Sequence, residues 1–162
     1  CYHVARVMRE GLGPRAEIPE LVEILYKEKR FGRKSGAGIF RYDGKDEDFD
    51  KILTKATPMN RTTFTIERIL YAMLNEACQC LEEQVASPSD IDVSLMAGIG
   101  FPQRTGGLLH WADEIGLDVI YNQLKAYASD LGGRFHPAIY LKRLVDAGFY
   151  GKKVARGFFE YT

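Results

Sequence analysis

The chain has 162 residues, enough for one ordinary domain or for one domain with a docked fragment. Lys plus Arg and Asp plus Glu balance at 22 each, so no net field draws nucleic acid or anionic lipid towards it. No apolar run approaches the roughly 20 residues that a membrane span needs. Three cysteines without framework spacing indicate a reducing compartment, and the three isolated histidines argue against a zinc site. We therefore expect no nucleic acid, no membrane and no metal as partners.

The first part of the chain is predicted to be helical with a glycine-rich ending. Apolar residues recur at helical spacing, and Gly and Pro interrupt them. Four segments are predicted in chain order: the tail of a helix over residues 1–10, a helix over 18–29, a short extended or turn-like ending over 39–42, and a charged connector over 43–63 with a short helix near Ile52.

The second part is predicted to hold five helices. Its strongest signal is a broad apolar stripe with the 3.6-residue period along residues 64–85. Ser87 supplies a cap for the next helix, with a proline at its first position. The helices are predicted over residues 64–85, 88–97, from Gly107 through Ala112, 117–131 and 138–147, with a rigid turn over 98–102. No segment alternates with period two, so the predicted fold class is all-α.

Two stretches of the chain that lie 119 positions apart have nearly the same sequence. Residues 25–42 and 144–161 align without a gap, and such repeats usually mark repeated structural units. Identical pairs include Leu25 and Leu144, Gly32 and Gly151, Lys34 and Lys153, Gly38 and Gly157, Phe40 and Phe159, and Tyr42 and Tyr161.

The repeat predicts one complete module and the last part of another, because the first copy is not preceded by a counterpart of residues 64–119. We expect residues 1–42 to be the C-terminal part of a first helical module. Residues 43–63 are then a connector, and residues 64–162 are a complete second module. This arrangement predicts that the chain is part of a longer one.

Three motifs occur in a characteristic order. These are residues 68–83 followed by 87–92, the Gly98-Ile-Gly-Phe-Pro102 run with Gly106-Gly107, and the ending at 31–42. Together they resemble the C-terminal helical domain of L-3-hydroxyacyl-CoA dehydrogenases. The tandem arrangement with a charged connector is similar to that of multifunctional fatty-acid β-oxidation enzymes, which carry two such domains in succession.

The resemblance implies a cofactor and a substrate that this chain does not bind alone. In the family an upstream Rossmann domain binds NAD and supplies a catalytic His–Glu pair, in which the His is the general base on the 3-hydroxyl. The sequence has no G-x-G-x-x-G after a predicted strand. We therefore expect no catalytic residue here, an upstream NAD-binding domain as partner, and acyl-CoA as a substrate bound through the parent chain.

The resemblance also indicates where substrate contacts would fall. The first helix of the catalytic helical domain typically carries Asn-Arg, and the matching positions here are Glu67-Arg68. Some bacterial multifunctional members place a substrate-contacting Tyr where this chain has Ala97, the one candidate substrate-binding position. A methyl group cannot replace a phenol as a hydrogen-bonding group, so the second module is not expected to contact the reacting group.

Other residues have two interpretations each. The Gly32–Ser35 run could cradle a phosphate, for instance on CoA, but a tight turn explains both copies better. Arg68 and Asn75 share one helical face, which favours a buried polar network tying modules together over catalysis. His110 and Trp111 are expected to serve packing.

Two hypotheses for function remain. The first is the C-terminal helical region of an NAD-dependent 3-hydroxyacyl-CoA dehydrogenase, which closes the substrate side and pairs helical modules. The second is a stand-alone helical interaction module derived from that family. The resemblance implies a cytoplasmic location in a bacterium, or a peroxisomal or mitochondrial-matrix location in a eukaryote. It also allows a homodimer, because single-module relatives pair through this domain.

Overall fold

The computed structural model describes residues 2–42, 44, 51–52 and 64–162. Over these residues the fold is all-α, as predicted, with no β-strand longer than isolated bridges. The α-helices are α1 (Tyr2–Leu12), α2 (Glu20–Lys27), α3 (Ile66–Glu82), α4 (Pro88–Ile99), α5 (Leu108–Ile115), α6 (Leu117–Leu131) and α7 (Ile139–Asp146). The predicted short helix of the connector lies mostly outside the described residues. None of the described helices combines the length and the apolar character that crossing a bilayer requires.

The chain divides into two compact units, residues 1–63 (unit 1) and residues 64–162 (unit 2). The core of unit 2 forms where α3 packs on α7, and where α5 and α6 pack beside them. Its side chains come from the predicted apolar stripes, because residues spaced by three or four positions share one face of a helix. The fully buried members include Leu74, Cys78, Leu108, Leu109, Leu117, Ile120, Leu124 and Leu141.

Local signals determine where the helices of unit 2 begin and end. Ser87 and Asp90 form a capping box at the start of α4, in which the Ser87 hydroxyl accepts from the Asp90 N–H at 3.2 Å. The predicted end of α4 was wrong, because the helix continues through Gly98 to Ile99. It stops at Gly100, whose φ of 73° is left-handed. The predicted bounds of α6 are confirmed, with Gly116 and Gly132 on either side.

Asn75 joins two helices inside unit 2. Its side-chain amide donates to the His136 carbonyl at 2.8 Å and accepts from the Ala138 N–H at 2.7 Å, so it connects α3 to the start of α7. The side chain is 2% exposed and both of its polar ends are paired. The predicted buried polar role is therefore confirmed for Asn75, but its bonds lie within one unit rather than between modules.

Unit 1 repeats the second half of unit 2 at the level of the backbone. Helix α2 is the counterpart of α7: both are 8 residues long, and they are related by the same offset of 119 positions as the repeated sequence. Both helices are followed by a residue with left-handed φ, 56° at Lys29 and 75° at Gly148. The next amides then bond back to Leu25 and Leu144, both at 2.9 Å. Neither α1 nor α2 contains a buried residue.

The two endings have the same hydrogen-bond pattern. We call residues 32–42 the first turn and residues 151–161 the second turn. Gly32 N–H bonds the Ala37 carbonyl at 2.8 Å, as Gly151 N–H bonds that of Arg156 at 2.8 Å. Two further pairs of bonds are Gly38 N–H to the Phe40 carbonyl with Gly157 N–H to that of Phe159, and Tyr42 N–H to the Gly36 carbonyl with Tyr161 N–H to that of Ala155, all between 2.8 and 2.9 Å.

Candidate functional site

Helix α5 is held at its N-terminus by a buried carboxylate from α4. Asp92, 2% exposed, accepts from the Leu109 N–H at 2.7 Å and from the His110 N–H at 3.2 Å. These are backbone donors that a helix start leaves without an intrahelical partner. Gly107 makes this approach possible, since a Cβ there would lie 2.2 Å from Asp92 Cγ. Asp92 therefore orients α5 through its first turn.

The His110 ring connects this cap to the second turn. Its Nδ1 lies 2.8 Å from Asp92 Oδ2, and because a carboxylate oxygen accepts, Nδ1 carries the hydrogen. The ring stacks on Phe159 with centroids 3.7 Å apart. His110 therefore packs against Phe159, and its hydrogen bond to Asp92 also fixes the orientation of the ring.

Asp113 binds the second turn at the other end of α5. Its carboxylate accepts from Phe158 N–H at 3.0 Å, from Phe159 N–H at 3.1 Å and from the Tyr161 hydroxyl at 2.8 Å. Burial raises the pKa of the Asp113 carboxyl, although these three hydrogen bonds and the nearby His110 ring act to lower it. Burial, followed by the bond to Asp113, raises the pKa of Tyr161.

Two exposed ion pairs extend this contact. Lys152 of the second turn pairs with Glu114, and Lys153 pairs with Asp118 at the start of α6. The same lysines lie over aromatic rings, Lys152 at 5.7 Å from the centroid of Tyr161 and Lys153 at 5.3 Å from that of Tyr150. The second turn is therefore a cationic and amide-rich surface that receives an acidic helix end.

The first turn uses its serine internally. The Ser35 hydroxyl accepts from Phe31 N–H at 2.8 Å and lies 3.1 Å from the Gly32 carbonyl and 3.0 Å from that of Ala37. A hydroxyl engaged in this way supports the tight-turn interpretation over a phosphate cradle. A cleft of about 590 Å³ adjoins the turn, and its lining includes the cationic Lys29 and Arg30.

The sequence-predicted substrate positions do not converge on a pocket. Ala97 is exposed near the end of α4, and Glu67 is exposed in the first turn of α3. Arg68 follows Glu67 and is half-buried. The role of Ala97 as a substrate position stays a prediction.

The two buried carboxylates of unit 2 serve as hydrogen-bond acceptors. Asp92 accepts from backbone amides at the start of α5, and Asp113 accepts from the second turn. Cys78 is fully buried in the core of unit 2, and this burial raises the pKa of its thiol. Within the described residues, no group of three or more His, Cys, Asp or Glu side chains is placed to hold a metal ion.

The sequence matches the family described as 3-hydroxyacyl-CoA dehydrogenase, C-terminal domain, over residues 64–161. The chain belongs to this family. The matched range covers unit 2 apart from its last residue, and the resemblance found from the motifs is confirmed. The family is one of NAD-dependent dehydrogenases.

Curated relatives show the same similarity over most of the chain. The fatty acid oxidation complex subunit alpha of Shewanella halifaxensis is 35% identical over 153 residues, which are 90% of this chain and 22% of the relative. That of Vibrio parahaemolyticus is 37% identical over 137 residues, 81% of this chain and 20% of the relative. The chain thus spans about a fifth of the length of the relatives it matches. The matched segments are parts of larger multidomain chains.

Solved structures share the fold. The (S)-3-hydroxybutyryl-CoA dehydrogenase PaaH1 from Ralstonia eutropha has a TM-score of 0.56 and 34% identity, with 66% of this chain and 36% of that chain covered. The dehydrogenase part of multifunctional enzyme 1 from C. elegans has a TM-score of 0.59 and 26% identity, with 88% and 36% covered.

The described residues do not fit NAD. A dinucleotide site of the Rossmann type needs a strand, a glycine-rich turn and a helix whose N-terminus meets the pyrophosphate. The run Gly11–Ala16 has the G-x-G-x-x-A spacing, but Gly11 lies within α1 and Gly13–Ala16 form a 3₁₀ helix rather than a turn between a strand and an α-helix. We therefore derive no hydride-transfer step from this chain.

Sequence reasoning did not single out Asp92 and Asp113, the two carboxylates that organise the site. A signal for Asp113 was present, since it lies four positions after Leu109 on the face of α5 that also carries Ala112. An acid on an apolar face is buried only when donors reach it. The Gly-Gly pair before α5 similarly indicated close approach by another group, which is Asp92.

Proposed function

We propose that this chain is the C-terminal helical region of an NAD-dependent L-3-hydroxyacyl-CoA dehydrogenase of fatty-acid oxidation. The main support for this proposal is the extent of the similarity to fatty acid oxidation complex subunit alpha. Its 153 aligned residues exceed the stretch from 64 to 162, so the similarity continues into unit 1. The parent would oxidise L-3-hydroxyacyl-CoA to 3-ketoacyl-CoA, and this region would support the substrate side without chemistry of its own.

The proposed domain division follows from the duplication. Residues 1–42 are the C-terminal part of a first helical module, residues 43–63 a connector, and residues 64–162 a complete second module. The equal place of α2 and α7 and the shared hydrogen bonds of the two turns support this division. NAD is assigned to an upstream domain of the parent, which the greater length of the relatives can accommodate.

The proposed role of unit 2 is to pair with another helical element of the parent or of a second subunit. Ile66 and Ile69 are exposed and lie three positions apart on α3, so they share one helical face. Together with the exposed Phe64 just before the helix they support such a role, because exposed large apolar side chains can mark an interface. Ala97 is proposed to make no polar substrate contact, since it offers only a methyl group. A cytoplasmic location is supported by the bacterial origin of the relatives.

The alternative of a stand-alone interaction module is not favoured. It predicts relatives of similar size, whereas the matched relatives are about four times as long as this chain and the solved ones named above are dehydrogenases. Glu67 stands where the resemblance implies an Asn. It does not distinguish the dehydrogenase region from the interaction module, because in neither hypothesis does the second module contact the reacting group.

The test compares this chain with the polypeptide encoded by its complete gene. We expect the complete polypeptide to consume NADH with acetoacetyl-CoA, and the 162-residue chain alone to give no turnover above buffer. Turnover by the chain alone would show that the chemistry was assigned to the wrong part. A complete polypeptide that binds no acyl-CoA and consumes no NADH would refute the dehydrogenase proposal itself.

A further inference from the structure

We draw no further inference here: the strongest candidate, the cationic cleft of about 590 Å³ beside the first turn, carries nothing because Arg30, Arg41 and Lys51 in its lining are already engaged with other groups of the protein, so nothing in the structure assigns their charge to a ligand.

Discussion

The Asp113 carboxylate lies so close to Gly157 that a Cβ at residue 157 would sit 2.0 Å from Oδ1. Gly151 faces the same helix, and a Cβ there would lie 2.2 Å from the Asp113 carbonyl oxygen. The two glycines allow the second turn to approach α5 closely enough for its amides to reach the carboxylate. The sequence analysis identified Gly157 through the repeat, and the contact with Asp113 gives the reason for it.

Substitution of Gly157 by Ala should destabilise unit 2 by about 2–3 kcal/mol, because the added methyl displaces the carboxylate that binds the turn. The measurement is urea unfolding followed by the fluorescence of Trp111, the single tryptophan, which lies on α5. Gly133→Ala is the matched control, since a Cβ there meets only a His136 ring atom at 3.7 Å. An unchanged midpoint for Gly157→Ala would contradict the proposed close approach.

The same comparison applies to the first turn with a smaller expected effect. A Cβ at Gly38 would lie 2.9 Å from the Gly32 Cα, and no carboxylate is among its nearest atoms. Close approach, rather than a left-handed φ, explains a glycine at both Gly38 and Gly157, since neither has a positive φ.

Removal of the Asp113 side chain should cost more than removal of any one of its bonds. Asp113→Ala leaves the Phe158 and Phe159 amides and the Tyr161 hydroxyl without their acceptor, and we expect a loss of about 3 kcal/mol in the free energy of unfolding. Asp113→Asn keeps one acceptor oxygen and should lose about half as much.

Glu114→Gln is the control for this effect, because it removes only the exposed pair with Lys152 and should change stability by less than about 1 kcal/mol. Urea unfolding at pH 7, monitored through Trp111, measures all three variants. Equal losses for Asp113→Ala and Glu114→Gln would show that the buried carboxylate does not anchor the turn.

The duplication also identifies a substitution that should stabilise the chain. Ala155 has a left-handed φ of 57°, and its counterpart in the first turn is Gly36, with φ 75°. Ala155→Gly should raise the free energy of unfolding by about 0.5–1 kcal/mol, because glycine adopts this conformation without strain. Ala147→Gly is the control at a right-handed position, φ −80°, and should lower stability by a similar amount. A lower melting temperature for Ala155→Gly would contradict the argument.

A feature of the fold could be predicted from the sequence when residues adjacent to it in the chain determine it. The bounds of α6 follow from glycines adjacent to the helix, and the start of α4 follows from Ser87, so both were predictable. Helix α4 ended later than predicted because Gly98 can remain helical, and only the left-handed φ of Gly100 stops it.

Long-range contacts were beyond such reasoning. Asn75 was recognised as a buried polar residue, but its bonds go to residues 61 and 63 positions away. Asp113 was missed for the same reason, since its donors lie 45 to 48 positions later. A helical period shows which face of a helix is buried, but it does not show which distant amides will meet an acid on that face.

The hydroxyl of Tyr161 should make the stability of unit 2 depend on alkaline pH. Burial and the bond to Asp113 raise its pKa above the ordinary value near 10, so the folded state holds the proton after the unfolded state has released it. The stabilisation is therefore complete below about pH 10 and is lost as the pH rises through the folded-state pKa. At pH 8, Tyr161→Phe should be less stable than the wild type by about 1 kcal/mol, because the hydrogen bond is lost.

The two unfolding curves should converge between pH 10 and pH 11.5, since only the wild type loses this contribution there. Urea unfolding monitored through Trp111 at half-unit pH steps measures the difference, and other titrating groups cancel because both proteins contain them. Tyr42→Phe, at the equivalent place in the first turn, should follow the wild-type profile. A wild-type advantage over Tyr161→Phe that stays constant up to pH 11.5 would contradict the proposed role of the hydroxyl, because it would show that the proton on Tyr161 has no part in holding the second turn to α5.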